Sequence, residues 1–464
     1  MDYAPAIEYL LSFADFERSG RFQERPDVAP VLSLLHRLGD PHLGRLTVHV
    51  AGSKGKGSVS AMIESVLRAS GAKTGFFTSP HLHDYTERIR IDGEPISRAD
   101  FARLVEELQP AVEAERVAIG DRAFVTFDLL TALGFLAFRE AGVDAQVIEV
   151  GLGGRVDSTN VFPTKEVAVI TPLSFEHTAI LGDKIEQIAA EKAAIITPGC
   201  VAVMAPQRYP EAAAVVREFA ERAGARLVDV AAEYRWSAGE HDLRGQTVRI
   251  ERSPTRRGYL QVARWSAIDA RLPLLGAFQA ENAATAVAAM DALAPRLESV
   301  GYAVGEDAIV RGLETVSWPG RLEVLRERPL VVADGAHNAE SARRLREALV
   351  EYFGAKKVTF VIGTGGDKDI AGLARELTPL AESVIAARAA HPRAMEPRLI
   401  CEAFAREKVP CEDVDSVPKA IERALAASGE RGVICLAGSL FVAAEAREYF
   451  HKQTIEPAGG VHGG

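Results

Sequence analysis

A glycine- and lysine-rich loop between a predicted strand and a predicted helix is the stretch best suited to chemistry. The sequence LTVHVAGSKGKGSVS, residues 46–60, passes from an apolar, β-branched run into this loop, and Ser58 opens an amphipathic helix. The three glycines of the loop let backbone N–H groups approach phosphate oxygens, and the helix N-terminus adds partial positive charge. Lys56 could reach the terminal phosphates of a nucleotide, and the Ser58 hydroxyl could bind Mg²⁺. The loop therefore predicts a nucleotide site, with a plain strand-to-helix turn as the alternative.

Composition limits the classes of protein that the chain could belong to. Its 464 residues, 47% hydrophobic and 25% charged, fit a globular enzyme of two domains. A net charge of −10 argues against broad nucleic-acid affinity. No apolar run approaches the ~20 residues that span a bilayer, and no signal-peptide pattern is present, so we expect a cytoplasmic protein. The scattered cysteines lack a CxxC pair, and we expect all of them to be reduced: Cys200, Cys401, Cys411 and Cys435.

The pattern of strands and helices predicts two α/β units. Strands and helices alternate through the first two-thirds of the chain, which indicates a parallel sheet covered on both faces. Residues 233–272 have shorter runs, and we expect a small β section attached to the main sheet. An alanine-rich helix, Phe278–Leu297, precedes a second alternation. We therefore predict a P-loop-containing, mostly parallel-sheet N-terminal domain, residues 1–298, and a smaller Rossmann-like α/β C-terminal domain, residues 299–464, disordered at 455–464.

Polar residues follow several of the predicted strands, at the position where open α/β sheets bind ligands. Three strands end in the runs SPHLHDYTERIRIDG, GLGGRVDSTN and PLSFEHTAILGD. We expect these runs and the phosphate loop to converge on one cleft. A magnesium–nucleotide complex needs oxygen ligands, for which Glu149 and the hydroxyls of Ser58 and Ser79 are suitable. From its local sequence alone, His177 is better interpreted as a helix-capping or core histidine.

Eight sequence blocks together carry a family resemblance: AGSKGKGS, TSPHL, RIRIDGEPIS, EVGLGGRVDSTN, EHTAILGDKIEQIAAEKAAII, PGRLE, DGAHN and GDKD. In their order and spacing the chain resembles folylpolyglutamate synthase/dihydrofolate synthase, within the Mur ligase superfamily of ATP-dependent amide-forming enzymes. The resemblance runs from roughly residue 30 to residue 450. It implies that the chain uses ATP, Mg²⁺ and L-glutamate, with dihydropteroate or a reduced folate as acceptor. It also implies a monomer, and from the net charge and the lack of a long apolar run we expect neither nucleic acid nor membrane as a partner.

The resemblance assigns expected roles position by position. The implied metal-binding residues are Ser58, Ser79, Glu149, His177 and Lys192. The implied ATP-binding residues are Gly55, Lys56, Gly57, Ser58, Asn282, Arg321 and Asp334. The implied pterin- or folate-binding residues are Thr126, Phe127, Asp128, Val156, Asp157 and Ser158. The implied catalytic groups are Lys56, Lys192, His177 and His337.

The family pattern changes the interpretation of Lys192 and leaves that of Asp128 open. The family carries a carbamoylated lysine where Lys192 stands, and an N-carboxylated lysine is an anion that can hold a second metal ion. Without the resemblance, Lys192 would be interpreted as a helix-surface salt-bridge residue. Asp128 stands where glutamate is common, which leaves the balance between dihydropteroate and reduced folate open.

The expected mechanism follows from the poor reactivity of a carboxylate as an acyl donor. ATP would activate it as an acyl phosphate, with Mg²⁺, Lys56 and Arg321 neutralising charge, before the glutamate amine attacks. Because acyl phosphates hydrolyse readily, we expect the second domain to close over the first about a hinge at 296–318. Three alternatives stay open: a P-loop ATPase acting as a switch or binding protein, a Mur-type ligase with another acceptor, and a non-catalytic homologue. Only about 50 residues precede the loop, too few for the extra domain of a peptidoglycan-precursor ligase.

Overall fold

The computed structural model describes residues 1–19, 27–120, 124–253 and 265–455. The helices in these ranges are α1 (Tyr3–Leu11), α2 (Phe16–Ser19), α3 (Ala29–Arg37), α4 (Lys56–Ala69), α5 (Arg98–Ile119), α6 (Thr126–Ala141), α7 (Thr178–Leu181), α8 (Ile185–Ala193), α9 (Pro210–Arg222), α10 (Val230–Glu233), α11 (Ala277–Ser299), α12 (Glu306–Thr315), α13 (Ala339–Phe353), α14 (Ile370–Leu377), α15 (Pro397–Arg406), α16 (Val417–Ala427) and α17 (Leu440–Ile455). The strands are β1 (Leu46–Ala51), β2 (Thr74–Phe77), β3 (Ile89–Ile91), β4 (Glu94–Pro95), β5 (Ala145–Glu149), β6 (Val167–Ile170), β7 (Val201–Met204), β8 (Arg226–Asp229), β9 (Tyr234–Asp242), β10 (Gly245–Arg252), β11 (Ala267–Leu272), β12 (Glu323–Glu327), β13 (Leu330–Ala333), β14 (Val358–Ile362), β15 (Ala381–Ala387), β16 (Cys411–Val414) and β17 (Val433–Ala437).

The first sheet has eight strands in the order β4-β3-β2-β5-β1-β6-β7-β8. The pairings from β2 to β8 are parallel, and β3 and β4 add an antiparallel edge. Side chains alternate between the two faces: Val147 packs with α4 and α11, whereas its neighbour Ile148 packs with α5 and α6. The predicted mostly parallel sheet is confirmed. Its topology brings the carboxyl ends of β1, β2, β5 and β6 to one edge.

Strands β9, β10 and β11 form a separate antiparallel sheet. Its apolar side chains, Val248, Ile250 and Ile268 among them, pack against α11. The predicted β section is therefore present. The expectation that it is attached to the main sheet is wrong for the backbone hydrogen bonds of these strands, which form a sheet of their own. Among the described strands these three pair with one another, and side-chain packing joins them to the first domain.

A third sheet has six strands in the order β12-β13-β17-β14-β15-β16, and all of its strands are parallel except β12. Buried clusters lie on both faces, one with α13, α14 and α15 and the other with α16 and α17. This arrangement confirms the predicted second α/β domain. The exact boundary, 298/299, stays a prediction.

Two cysteines differ from expectation. Cys401 in α15 and Cys411 in β16 form a disulfide, with their Cα atoms 5.2 Å apart. The short turn between this helix and this strand brings them together, and a spacing of ten residues gave no recognisable motif. The prediction that all four cysteines are reduced is therefore wrong for this pair. Cys200 and Cys435 are free and buried, as expected.

The C-terminal end of the chain is described as far as Ile455. The predicted disorder at 455–464 concerns residues that lie outside the described ranges, except for Ile455, which ends α17. In the described part of the chain, no helix combines the length and the apolar character needed to cross a membrane.

The contact between α4 and α12 depends on a glycine. A Cβ atom at Gly312 would lie 2.4 Å from the Cα atom of Val66, and the Ser65 hydroxyl donates to the Gly312 carbonyl at 2.7 Å. We expect Gly312→Ala to lower the free energy of unfolding by about 1–3 kcal/mol, because the two helices would have to separate. Chemical denaturation measures this change.

The matched control is Gly429→Ala, at an exposed site where an added Cβ atom meets no atom within 4 Å. It should change the free energy of unfolding by no more than about 0.5 kcal/mol. Equal effects of the two substitutions would contradict the packing argument.

Candidate active site

A cavity of about 450 Å³ lies at the edge where the parallel strands of the first sheet end, facing the end of β13. Its walls come from the residues that follow β1, β2, β5, β6 and β13. The expected convergence of strand ends on one cleft is therefore confirmed. Every site residue predicted from the sequence lines this cavity except Asp128.

The phosphate loop packs so closely that two of its glycines have no room for a side chain. A Cβ atom at Gly55 would lie 2.5 Å from Oδ1 of Asn282, and one at Gly57 would lie 2.7 Å from the Trp318 ring. Gly55 also has a positive φ of 83° as the residue that precedes α4. The helix begins at Lys56, two residues earlier than expected, and the Lys56 ammonium donates to the Gly52 carbonyl at 3.2 Å. The loop thus meets residues from far along the chain at van der Waals distance.

Glu149 ends β5 as a buried carboxylate at the bottom of the cavity. It accepts hydrogen bonds from the Thr78 hydroxyl and from the backbone N–H of Ser79. Burial raises its pKa, although Lys56 and Arg321 act in the opposite direction. The carboxylate therefore faces cations from both domains.

The oxygen donors around Glu149 suit magnesium. Glu149 and the hydroxyl groups of Ser58 and Ser79 line the same cavity, and hard oxygen ligands are those that Mg²⁺ prefers. Within the described residues, no three His, Cys, Asp or Glu side chains gather closely enough to hold a metal ion by themselves. A magnesium ion here would therefore share its coordination with nucleotide phosphates and water.

Lys192 is a buried cation rather than a surface residue. Its ammonium donates to the Gly52 carbonyl at 3.0 Å and to the Glu176 carboxylate at 2.9 Å, and the other oxygen of Glu176 is 3.8 Å from the Lys54 ammonium. Burial lowers the pKa of Lys192, with Glu176 opposing. Burial would raise the pKa of Glu176, but Lys192, Lys56 and Lys54 hold it well below its usual range.

His177 lies at the start of a helix, where its side chain makes no capping hydrogen bond, and on the cavity wall. It is the residue that precedes α7, with a positive φ of 48°, and its side chain lines the cavity. Burial lowers its pKa to about 4, against the effect of the neighbouring Glu176. Its imidazole is therefore neutral near pH 7, which is the form that can bind a metal ion.

The second domain contributes Arg321, Asp334 and His337. Asp334 accepts hydrogen bonds from the backbone N–H groups of Leu322, at 2.9 Å, and Ala336, at 2.8 Å. Its carboxylate thereby braces the turn that carries Arg321, whose pKa is lowered by burial. Nδ1 of His337 lies 2.9 Å from the Gly335 carbonyl, so Nδ1 carries the proton and Nε2 is left as an acceptor. Burial lowers the pKa of His337 to about 4, which keeps the ring neutral.

Asp128 lies behind the cavity wall and not in it. One carboxylate oxygen accepts from the Ser158 hydroxyl at 2.5 Å, and the other accepts from the Val125 N–H at 2.8 Å. It is fully buried, because its position in α6 points toward the core while Thr126 and Phe127 face the cavity. The predicted direct contact between Asp128 and a pterin is therefore corrected to a supporting role.

The sequence missed the N-terminal segment as part of the site. Residues 14–17 line the cavity, held in place because the Ala14 carbonyl accepts from the Thr126 N–H at 3.0 Å. Glu17 forms an ion pair with the buried Arg88, and Arg393 of the second domain also lines this side. Arg88 stands in the RIRIDG block and could have been noticed there, whereas the N-terminal segment carries no motif.

Two protein-family models match this chain, and they agree with its two-domain architecture. The Mur ligase middle domain matches residues 120–290, and the Mur ligase glutamate ligase domain matches residues 320–440. The fold and site thus define a Mur-type ligase.

Three known proteins narrow the class. The dihydrofolate synthase/folylpolyglutamate synthase of Bacillus subtilis is 34% identical over 432 residues, covering 92% of this chain and 96% of that protein. A Mycobacterium tuberculosis folylpolyglutamate synthase, solved in complex with ADP, superposes with a TM-score of 0.85 at 32% identity, covering 97% of this chain and 99% of that one. The chain belongs to the folylpolyglutamate synthase/dihydrofolate synthase family.

A third relative is longer than this chain. The probable bifunctional folylpolyglutamate synthase/dihydropteroate synthase of Haloferax volcanii is 36% identical over 462 residues, which cover 98% of this chain. The match takes in 51% of that protein, so the chain spans about half the length of this relative.

The environment of Glu149 generates a pH prediction. A carboxyl with a raised pKa becomes protonated, and loses its affinity for a cation, at a higher pH than an ordinary glutamate. The Thr78 hydrogen bond lowers this pKa, so Thr78→Val should raise it further. We expect the affinity for Mg-ADP to fall with decreasing pH, and to fall at a higher pH in this variant. Calorimetric titration between about pH 5 and 8 measures the effect.

The control is Thr74→Val, which removes another buried threonine-to-glutamate hydrogen bond, of 2.6 Å to Glu64, outside the cavity. This variant should keep the wild-type pH dependence. An unshifted curve for Thr78→Val, or an equal shift in both variants, would count against Glu149 as the group that titrates.

Proposed function

We propose that the protein is an ATP-dependent ligase that joins L-glutamate to the carboxylate of dihydropteroate or a reduced folate. The observation that carries the proposal is the single cavity shared by the phosphate loop, Glu149 and the second-domain pair Arg321 and His337. A nucleotide switch would not need an arginine and a neutral histidine from a second domain beside its phosphates. The family membership supports the choice of glutamate and of a folate-type acceptor.

The charges of the cavity suit phosphoryl transfer. In the proposed reaction an oxygen of the acceptor carboxylate attacks the γ-phosphorus of ATP, which gives an acyl phosphate and ADP. Lys56 and Arg321 would neutralise the charge on the transferred group, since both act on the buried Glu149 at the bottom of the cavity. Magnesium, held by Glu149 and serine hydroxyls, would supply further charge neutralisation on the phosphates.

The second step needs an amine in its neutral form. The glutamate nitrogen attacks the acyl carbon, the amide bond forms, the carbon–oxygen bond to phosphate breaks and a proton leaves the nitrogen. His337 would orient this amine, because its unprotonated Nε2 can accept an N–H hydrogen bond. The acyl phosphate must be kept from water meanwhile, which domain closure would achieve.

We place the hinge of that closure later in the chain than residue 296. Helix α12 packs against α4 and β11, and therefore moves with the first domain. The short connection between α12 and β12 carries Trp318 and Arg321, so rotation there would bring Arg321 toward the phosphates. We propose that the hinge lies in this connection, within the predicted 296–318 segment and the three residues after it.

One experiment can assign the identity of the acceptor substrate. We expect ADP release with Mg-ATP and L-glutamate to depend on an added acceptor, either dihydropteroate or tetrahydrofolate, because the acyl phosphate cannot form without it. Turnover with both would make the enzyme bifunctional, and turnover with one would assign the specialised activity. ADP release that needs neither acceptor nor glutamate would refute the ligase and indicate an ATPase.

A matched pair of arginine variants serves as the control for that assay. Arg321→Gln should lower kcat by about 100-fold or more, because it removes a cation from the cavity. Arg326→Gln changes an exposed arginine of the adjacent strand β12 and should leave turnover unchanged. Equal activities of the two variants would exclude Arg321 from the reaction.

We also propose that Lys192 is carbamoylated. The reaction joins the ε-nitrogen to the carbon of CO₂ and releases one proton, and it requires the free amine, which burial makes more available by lowering the pKa of Lys192. The new anion would lie beside Glu176, and the Lys54 and Lys56 ammonium groups would offset that repulsion.

Carbon-13 NMR after addition of labelled bicarbonate tests this proposal. We expect a carbamate resonance that disappears in Lys192→Gln and persists in Lys184→Gln, which changes an exposed lysine just before α8. No resonance in the wild type, or a resonance that survives Lys192→Gln, would refute the modification at this residue.

The oligomeric state is a separate proposal, that the protein acts as a monomer. The exposed large apolar side chains of the described residues belong to different elements, among them Leu32 in α3, Val117 in α5 and Val350 in α13. Exposed apolar side chains spread over several elements are normal on a protein surface and do not by themselves indicate an interface.

A further inference from the structure

A second buried lysine lies outside the cavity and takes no part in the proposed reaction. Lys165 is 5% exposed and precedes β6. Its ammonium donates to Nδ1 of His49, at 2.9 Å, and to the Ile195 carbonyl, at 2.9 Å. Among the described residues it has no carboxylate within salt-bridge distance, so a buried charge here is held by neutral groups alone. A buried cation with such partners needs an explanation beyond an ion pair.

The hydrogen bonds from Lys165 form a chain with one direction. Because Nδ1 of His49 accepts from the ammonium, the ring proton must be on Nε2, which lies 2.9 Å from the Thr159 hydroxyl. The Thr159 hydroxyl in turn donates to Oδ1 of Asp157. His49 and Thr159 each accept one hydrogen bond and donate another, while the ammonium at one end only donates and the carboxylate at the other end only accepts. The chain fixes one tautomer of His49.

Asp157 closes the loop that forms one wall of the cavity. Its Oδ2 accepts from the Leu152 N–H at 2.9 Å, and its Oδ1 accepts from the Thr159 N–H at 3.0 Å. The loop between them presents Val156 and Ser158 to the cavity, on the side of Phe127. The shape of this wall therefore depends on the orientation of one carboxylate.

The other contacts of Lys165 lead to the remaining walls of the same cavity. His49 belongs to β1, three residues before Gly52 of the phosphate loop. Ile195 follows α8, which carries Lys192. One ammonium thus joins the three segments that supply the phosphate loop, Lys192 and the loop closed by Asp157.

We propose that Lys165 is a positioning residue for the acceptor-binding loop, acting through His49 and Thr159 to hold Asp157 in the orientation that closes residues 152–159. This inference rests on the proposed function in assigning the loop to acceptor binding, whereas the hydrogen-bond chain itself does not. A residue that acts in this way should affect the affinity for the acceptor more than the affinity for ATP.

The neutral form of His49 agrees with the direction of the chain. Burial lowers the pKa of Lys165 to about 7, with the thiol of Cys200 opposing. Burial and the nearby Lys165 lower the pKa of His49 well below its usual value. The imidazole is therefore neutral, as its accepting role at Nδ1 requires. Phe162 packs against the same ring and against the Lys165 ammonium, which excludes water from the chain.

Thr159 offers the sharpest variant, because it is buried and does not line the cavity. Thr159→Val removes the hydroxyl and keeps the shape of the side chain, whereas Thr159→Ser keeps the hydroxyl. We expect Thr159→Val to raise the KM for the acceptor by about fivefold to tenfold, because it removes the hydrogen bonds of the hydroxyl to His49 and Asp157, with the KM for ATP unchanged and kcat within about twofold. Thr159→Ser should stay within about twofold of the wild type in all three.

A purely structural role for Thr159 would give a different result. Equal KM values for the acceptor in Thr159→Val and Thr159→Ser would overturn the proposal, as would a parallel rise in both KM values of Thr159→Val. Lys165→Met should repeat the pattern of Thr159→Val, since it removes the donor that fixes the imidazole.

The tautomer of His49 gives a readout that does not depend on activity and is taken from the wild-type protein. Nitrogen-15 NMR of the histidine-labelled wild-type protein should show His49 with its proton on Nε2 and with Nδ1 unprotonated, and His49→Gln identifies the resonance. A proton on Nδ1 would overturn the chain. If the wild type turned over no acceptor, the proposed function would fail while this tautomer measurement still decided the hydrogen-bond chain.

Discussion

With Lys192 unmodified, as the structure shows it, the ion pair between Lys192 and Glu176 is the interaction on which the shape of the cavity depends. Glu176 follows β6, Lys192 lies in α8, and the same ammonium reaches the carbonyl of Gly52 in the phosphate loop. Three segments that are distant in the sequence therefore share one buried cation. Removing either partner would leave an uncompensated charge out of water, which is far more destabilising than the loss of an exposed pair. The phosphate loop is consequently held from behind, before any nucleotide binds.

The buried cations explain why the cavity suits a polyanion. Lys54, Lys56, Lys192 and Arg321 all face it, while Glu176 is shared between two of them and Glu149 faces two others. The pKa values of the lysines at 54 and 192 are lowered by burial, which means that their charged forms are strained without an anion. Phosphate groups would relieve that strain. The site is organised for a charge that the substrate brings, which is the condition for electrostatic stabilisation of phosphoryl transfer.

The sequence predicted what depends on local pattern and missed what depends on distant contacts. The mostly parallel first sheet and the second α/β unit were predicted, because apolar periodicity is a local property of the sequence. The placement of Glu149 at a strand end followed from the rule for parallel sheets, whereas Asp334 was implied by the family resemblance. Asp128 failed because neighbouring residues of one helix face opposite ways, and no motif records which of them is buried. The pairing of Cys401 with Cys411, and of Arg88 with Glu17, needs knowledge of the chain's path.

No sequence motif marks Lys165, because its contacts join segments that are distant in the sequence. The two buried lysines, Lys192 and Lys165, contact different sides of the site. Lys192 lies inside the cavity and ties the phosphate loop to α8 by a charge that Glu176 partly neutralises. Lys165 lies behind the cavity and donates a hydrogen bond to the carbonyl of Ile195, just beyond α8. It reaches the acceptor side through His49, Thr159 and Asp157. A shift of α8 that followed a change at Lys192 would therefore move the Ile195 carbonyl and disturb the loop of Asp157. A change at Lys192 can therefore reach the acceptor side through the end of this short helix, whereas a change at Thr159, beyond His49 in the chain of hydrogen bonds, affects the acceptor loop alone.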